Sequence, residues 1–146
     1  MPVPVMPESL LAFDFGYRRV GIGLGIMITG TASPIHTIEY RDQAQLWSQI
    51  DTLVQEWQPQ LLVVGMPRHL NGDVHELAKP IQRFANQLEK QYHLPVEFID
   101  ERLSSQEASA RLKTQRQGGR KKRISKQEID RQSAAILAEN WMNQHG

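Results

Sequence analysis

Three carboxylates in this sequence sit where a charge needs a reason. Asp14 falls within LLAFDFGYRRVGIGLG, residues 10–25, a stretch that is otherwise apolar apart from Tyr17, its glycines and the pair Arg18 and Arg19. An ionised carboxylate buried without a partner is costly, so Asp14 requires a cation, a set of donors or a proton. Three arrangements would supply one: a strand-end aspartate bonded to turn amides, a phosphate loop beside the glycine-rich turn, or a metal site. Glu101 follows directly on a second apolar run, and Asp130 lies near the start of the last helical pattern. Asp130 shares a helical face with Ala134, Leu137 and Trp141, at steps of four, three and four, so it points at the interior. If the first and last strands lie side by side, the three acids meet. Like charges that close cannot all ionise unless cations intervene, and carboxylate oxygens select hard ions such as Mg²⁺ or Mn²⁺. Two such ions held about 3.5–4 Å apart can drive phosphodiester hydrolysis.

The elements that must position these acids alternate between strand and helix. Residues 10–15 and 20–24 are apolar runs separated by a short Gly16-containing turn, which predicts a β-hairpin. Residues 29–40 read as a loop leading into a third short strand that starts at Ser33-Pro34. Asp42 is an N-cap signal for a helix whose apolar face carries Leu46, Ile50, Leu53, Val54 and Trp57, and Pro59 ends it. Residues 61–64 form a continuous apolar strand of the doubly buried kind, followed by Gly65-Met66-Pro67 and a loop with the turn signal Asn71-Gly72. Leu77, Ile81, Phe84 and Leu88 recur at helical spacing up to Tyr92, with the regular helix starting near Pro80. Residues 95–99 are the last strand and deliver Asp100, Glu101 and Arg102 at its end. Ser104 with Glu107 and Ser125 with Glu128 are capping-box patterns that open helices running to about Gln115 and Asn143.

Length and composition narrow the function classes. With 146 residues, 40% hydrophobic and 23% charged, the expectation is a single α/β domain over residues 1–146. No run of about 18 apolar residues offers a membrane span, and MPVPVMPESL lacks the basic start and long apolar core of a signal peptide, so the expected location is cytoplasmic. The absence of cysteine excludes disulfides, thiolate metal sites and a cysteine nucleophile. The histidines show no HExxH pair, and His69 and His75, flanking a turn, read as solvated. The net charge of +1 conceals a segregation: residues 111–126 hold eight basic residues and no acid, leaving nine basic and sixteen acidic residues elsewhere. Such a block is either a solvated run or an arm for phosphates. It has no aromatic residue, so backbone contacts rather than base stacking are its expected use.

The most specific pattern is Asp100-Glu101-Arg102-Leu103-Ser104 with Glu107-Ala108. Together with Phe13-Asp14-Phe15-Gly16 and Gly21, Val64-Gly65-Met66-Pro67 with Asn71-Gly72, and Asp130-Arg131-Gln132-Ser133-Ala134, it resembles the YqgF family, also called RuvX. That family carries the names pre-16S rRNA nuclease and, formerly, Holliday junction resolvase. The resemblance spans nearly the whole chain. It implies an RNase H-like fold, a mixed five-stranded sheet flanked by helices, with Asp14, Glu101 and Asp130 as the catalytic, metal-binding acidic triad. Tyr17 stands where the family commonly has a small or polar residue, and GIGLG replaces a GVA-type strand.

The resulting expectation is a nuclease that uses Mg²⁺ or Mn²⁺ and acts on structured RNA, in the 5′ maturation of 16S rRNA. Cleavage of branched junction DNA is the alternative, and a non-catalytic RNA-binding module a third reading with no use for three acids. The expected nucleic-acid contacts are Arg18, Arg19, Arg102, Arg116, Arg120, Lys121, Lys122 and Arg123. Arg102 would neutralise the acidic pocket or touch phosphate, against a plain surface ion pair. An ATPase of the actin or sugar-kinase type is disfavoured: 146 residues leave no room for a second nucleotide-closing domain, and there is no GxxxxGK[ST] loop.

Overall fold

A computed structural model describes residues 7–67, 76–100, 104–117 and 124–145. Five strands form one mixed sheet in the order β3-β2-β1-β4-β5. The strands are β1 (Ser9–Phe15), β2 (Arg19–Ile26), β3 (Thr31–Glu39), β4 (Leu61–Met66) and β5 (Val96–Asp100). The hairpin expected from the two apolar runs is present: β1 and β2 pair antiparallel from Ser9↔Ile26 to Phe15↔Val20. β1 and β4 then pair in parallel, as do β4 and β5. The first and last strands are therefore not neighbours, so the condition set for the three acids to meet is not fulfilled in that form: β4 lies between them. Parallel strands need a crossover. The helix α1 (Gln43–Trp57) carries the chain from β3 at one edge across to the free side of β1, where β4 adds, and α2 (Ala78–Tyr92) then leads to β5 on the free side of β4.

Alternation along each strand divides the interior into two layers. Leu11 and Phe13 of β1, Val20, Ile22 and Leu24 of β2, and Leu62 and Val64 of β4 face α1 and α2. Leu10, Ala12, Leu61, Val63 and Ile99 instead pack with Leu137, Ala138, Trp141 and Met142 of α4 (Lys126–His145). The ring of Phe84 joins α1, α2 and β1, with centroids 4.9 Å from Phe15 and 5.6 Å from both Phe13 and Trp47. Rings at these distances add edge and offset attraction to their area burial.

Several local signals act as expected. Asp42 caps α1 by accepting the Gln45 amide at 2.9 Å, and Gln58, left-handed at φ 47°, closes the helix before Pro59. Pro80 occupies the first turn of α2, where its missing N–H is no loss. Ser125 accepts the Glu128 amide at 3.2 Å and so opens α4. Other features differ. Trp57, expected on the apolar face of α1, is 38% exposed, while Trp47 takes the core position. β3 begins at Thr31 and contains Pro34; as an edge strand it spares that position a ladder donor, and its register shifts opposite Ile22 and Gly23. Among the described residues no helix is long and apolar enough to cross a membrane. His69, His75 and the Asn71-Gly72 turn lie outside the described residues.

Candidate active site

Asp14 is the last but one residue of β1 and pairs across the ladder with Gly21. Its position in the strand alternation is that of Leu10 and Ala12, so it belongs to the face covered by α4. Its side chain is only partly buried, and it has a partner. A charge can survive there because the strand ends at Phe15, where the sheet gives way to the turn and water.

Asp130 reaches the same place from the other direction. Residues 132–138 of α4 are all buried, together with Trp141 and Met142, because α4 lies between the sheet and helix α3 (Ser104–Gln117). Its approach to the sheet is allowed by the alternate glycines of β2. A Cβ at Gly21 would lie 2.0 Å from the Asp130 carbonyl oxygen and 2.3 Å from its carbon. At Gly23 it would lie 2.6 Å from the Ala135 nitrogen and 2.7 Å from the Ala134 carbon. No side chain fits at either position, so the helix backbone rests directly on the strand. Gly21 is thus the cross-strand partner of Asp14 and the seat of Asp130 at once. That double contact gathers the two acids at one end of the sheet.

A cation already stands at this point. Arg19, the first residue of β2, donates its Nε–H to Asp130 Oδ2 at 2.7 Å, with the two side chains 35% and 22% exposed. Expected as a nucleic-acid contact, Arg19 is in this structure the counter-ion of an acid. The turn beside it is held by Tyr40, whose hydroxyl donates to the Gly16 carbonyl at 2.6 Å and whose amide donates to the Arg18 carbonyl at 3.0 Å. Burial, and then the neighbouring Tyr17, raise the Tyr40 hydroxyl above its ordinary pKa, so it stays a donor. Beyond it, Thr37 Oγ1 donates to the Gln127 carbonyl at 2.5 Å, and Gln127 Nε2 donates to Glu39, tying the first turn of α4 to β3.

The remaining expected residues divide in two. Glu101 follows β5, which ends at Asp100 in register with Met66 of β4, but Glu101 itself lies outside the described residues. So do Arg102, Arg120, Lys121, Lys122 and Arg123. Arg116 falls on α3. The described residues contain no group of three acidic or histidine side chains that could hold an ion. Arg111, first cation of the basic block, is removed from any arm: it forms a two-pronged pair with Glu139 at 2.9 and 3.1 Å and a third contact with Glu107 at 2.9 Å. These bonds hold Glu139 below its ordinary carboxylate range, with burial opposing, and fasten α3 to α4. Sequence reasoning missed the seat on β2 and the Arg19–Asp130 pair. The signal for the first was GIGLG itself, three glycines on one face of a strand, which marks a close backbone approach.

A mixed five-stranded sheet in this order, with helices on both faces, is an RNase H-like fold. The solved structures agree on the fold: Thermus thermophilus RuvC in complex with Holliday junction substrate superposes with a TM-score of 0.59 at 12% identity, covering 94% of each chain. The yeast mitochondrial Holliday junction resolvase Ydc2 gives 0.55 at 14% identity, over 95% of this chain and 80% of that one. Within this fold the chain belongs to the RuvX family, whose model, described as Holliday junction resolvase, matches residues 8–144. A relative from Vibrio vulnificus, 42% identical over 137 residues, covers 93% of this chain and 96% of its own, and carries the provisional name pre-16S rRNA nuclease. A relative from Methylobacillus flagellatus bears the same name at 39% identity over 145 residues, with 98% and 97% coverage.

Proposed function

We propose that this chain is a divalent-metal-dependent nuclease in which Asp14, Glu101 and Asp130 form the catalytic and metal-binding set, and that it trims the 5′ end of pre-16S rRNA in the cytoplasm during ribosome assembly. The observation that carries the reading is Gly21, which is paired with Asp14 and pressed against the backbone of Asp130. A fold that only needed a core would have no reason to bring the backbones of two acidic residues to one glycine. The described donors fit a hard cation: Asp14 and Asp130 are partly buried, and Asp130 already draws a guanidinium. Mg²⁺ or Mn²⁺ bound there would lower the pKa of a coordinated water and stabilise the departing oxygen. The protein's own part is to fix its ligands. β1 holds Asp14 by its ladder, α4 holds Asp130 by its seat on Gly21, and Arg19 fixes the Asp130 carboxylate through its Nε–H at 2.7 Å. Arg18, with Arg102, Arg116, Arg120, Lys121, Lys122 and Arg123, would draw the phosphate backbone to the site. The RNA substrate is supported by the relatives' name, whereas the family description favours a DNA junction as the second reading.

The test is incubation of the purified chain with a 5′-extended rRNA precursor and with a four-way DNA junction, with and without Mn²⁺, beside Asp14→Asn. We expect Mn²⁺-dependent cleavage of the RNA and none by the variant, whose melting temperature should equal or exceed that of the wild type because a repulsive charge is gone. Mn²⁺ should raise the wild-type melting temperature and ATP should not. Cleavage of the junction alone would transfer the reading to DNA. Unchanged turnover by Asp14→Asn would end it.

A further inference from the structure

The turn joining β1 and β2 presents a tyrosine ring to solvent on a backbone that is tied down on both sides. Tyr17 is 64% exposed, yet the residues on either side of it are fixed by Tyr40, through the hydroxyl bond to the Gly16 carbonyl and the amide bond to the Arg18 carbonyl. Phe15 supports the ring edge-on at a centroid distance of 6.2 Å and 69°. The turn borders a groove of about 940 Å³ that runs to the start of α1 and whose walls include Tyr17, Arg18, Arg19, Glu39, Tyr40 and Arg41. Two of its charges are engaged, since Arg19 pairs with Asp130 and Glu39 accepts from Gln127. Among the described residues neither Arg18 nor Arg41 forms an ion pair, and both are exposed. The groove therefore offers an exposed aromatic face flanked by two available cations, and Arg19 in its wall links it to the acid site.

We infer that this groove is a nucleotide subsite in which Tyr17 stacks on an unpaired base of the substrate while Arg18 and Arg41 hold the phosphates beside it. The inference rests on the nuclease reading and deepens it by naming a substrate feature, a single-stranded extension next to the helix. A duplex alone would engage the arginines and leave the ring idle, because paired bases keep their faces stacked. An unpaired base offers its π-face to any aromatic side chain, which makes the contact tolerant of sequence. The turn backbone is already held by Tyr40, so stacking has only the Tyr17 side chain to order, and its two rotatable angles keep that cost small. Tyr17 thereby provides the stacking surface that the basic block at 111–126 lacks.

The test measures binding without a divalent ion, so that it does not depend on cleavage. One RNA hairpin carries a short single-stranded extension containing 2-aminopurine; its counterpart is the same hairpin with a blunt end. Wild type and Tyr17→Phe should quench the 2-aminopurine and bind the extended RNA with similar affinity. Tyr17→Ala should raise its Kd about 5- to 150-fold and leave the blunt hairpin unchanged. Arg18→Ala with Arg41→Ala should weaken both and flatten the salt slope for the extension by about 1.4. The exposed position of Tyr17 keeps folding out of the comparison, which equal melting temperatures would verify. Wild-type affinity in Tyr17→Ala, or an equal loss on both hairpins, overturns the subsite and leaves the nuclease reading standing. Quenching and selective loss in a protein that cleaves nothing with Mn²⁺ would uphold the subsite and sink the nuclease reading instead.

Discussion

Replacing Gly21 with alanine asks whether the acid site depends on the contact between β2 and α4. The added Cβ would lie 2.0 Å from the Asp130 carbonyl oxygen, 2.3 Å from its carbon and 2.9 Å from the Arg131 nitrogen, all backbone atoms. Restoring an ordinary contact of 3.4 Å requires the helix to withdraw by about 1.4 Å at this turn. Nothing there is the flexible end of a side chain, so the strain falls on α4 and on the core below it. Overpacking of this kind costs roughly 1–3 kcal/mol, equivalent to about 3–10 °C in melting temperature for a chain of this size. Displacing Asp130 by about an ångström should also cut turnover about 100-fold or more. The comparison is Gly25→Ala, whose Cβ would meet Leu10 side-chain atoms at 3.1 and 3.3 Å and Met142 Sδ at 3.3 Å, contacts that small side-chain adjustments relieve. Urea denaturation and cleavage assays on Gly21→Ala, Gly23→Ala and Gly25→Ala should rank the first two well below the third in stability. Gly21→Ala with wild-type stability and turnover would refute the seat.

Arg19→Gln should strengthen Mn²⁺ binding, read from the metal dependence of the melting temperature, because the guanidinium no longer competes for Asp130; an unchanged midpoint would mean the pair is purely structural. The Arg111–Glu139 pair predicts an acid dependence of stability. Since the folded state holds Glu139 below its ordinary value of 4.5, its contribution is complete above that pH and is lost as the pH falls through the lower folded value. The difference in stability between wild type and Glu139→Gln should therefore shrink as the pH drops below 4.5, and a difference that grew would contradict the assignment. Replacing Arg120, Lys121, Lys122 and Arg123 by alanine should weaken nucleic-acid binding for all sequences alike and flatten the log–log salt slope by about 3 to 4, with the melting temperature little changed. An unaltered slope would show that these cations do not touch the substrate.

Local chemistry was legible in the sequence wherever a single stretch contains both the cause and the effect. The alternation of 10–15 and 20–24 is enough for a hairpin, Asp42 and Ser125 are enough for two helix starts, and the pattern from Asp100 to Ala108 is enough for the family. The inward face of Ala134, Leu137 and Trp141 followed from a period of 3.6, and all three are buried. Contacts between distant segments followed from none of this. The position of β4 between β1 and β5 depends on which strand edge each crossover finds, a choice that no local periodicity encodes. Arg111 looked like one cation of eight until α4 brought Glu139 to it from 28 residues away. Arg19 and Asp130 are 111 residues apart, and their 2.7 Å contact exists only because two glycines let a helix backbone lie on a strand. Residue types and spacing determined where this chain carries its acids and that its cations are gathered in one block at 111–126. Tertiary packing decided that Gly21 is where Asp14 and Asp130 come together, because a missing side chain has no pattern of its own until another backbone fills its place.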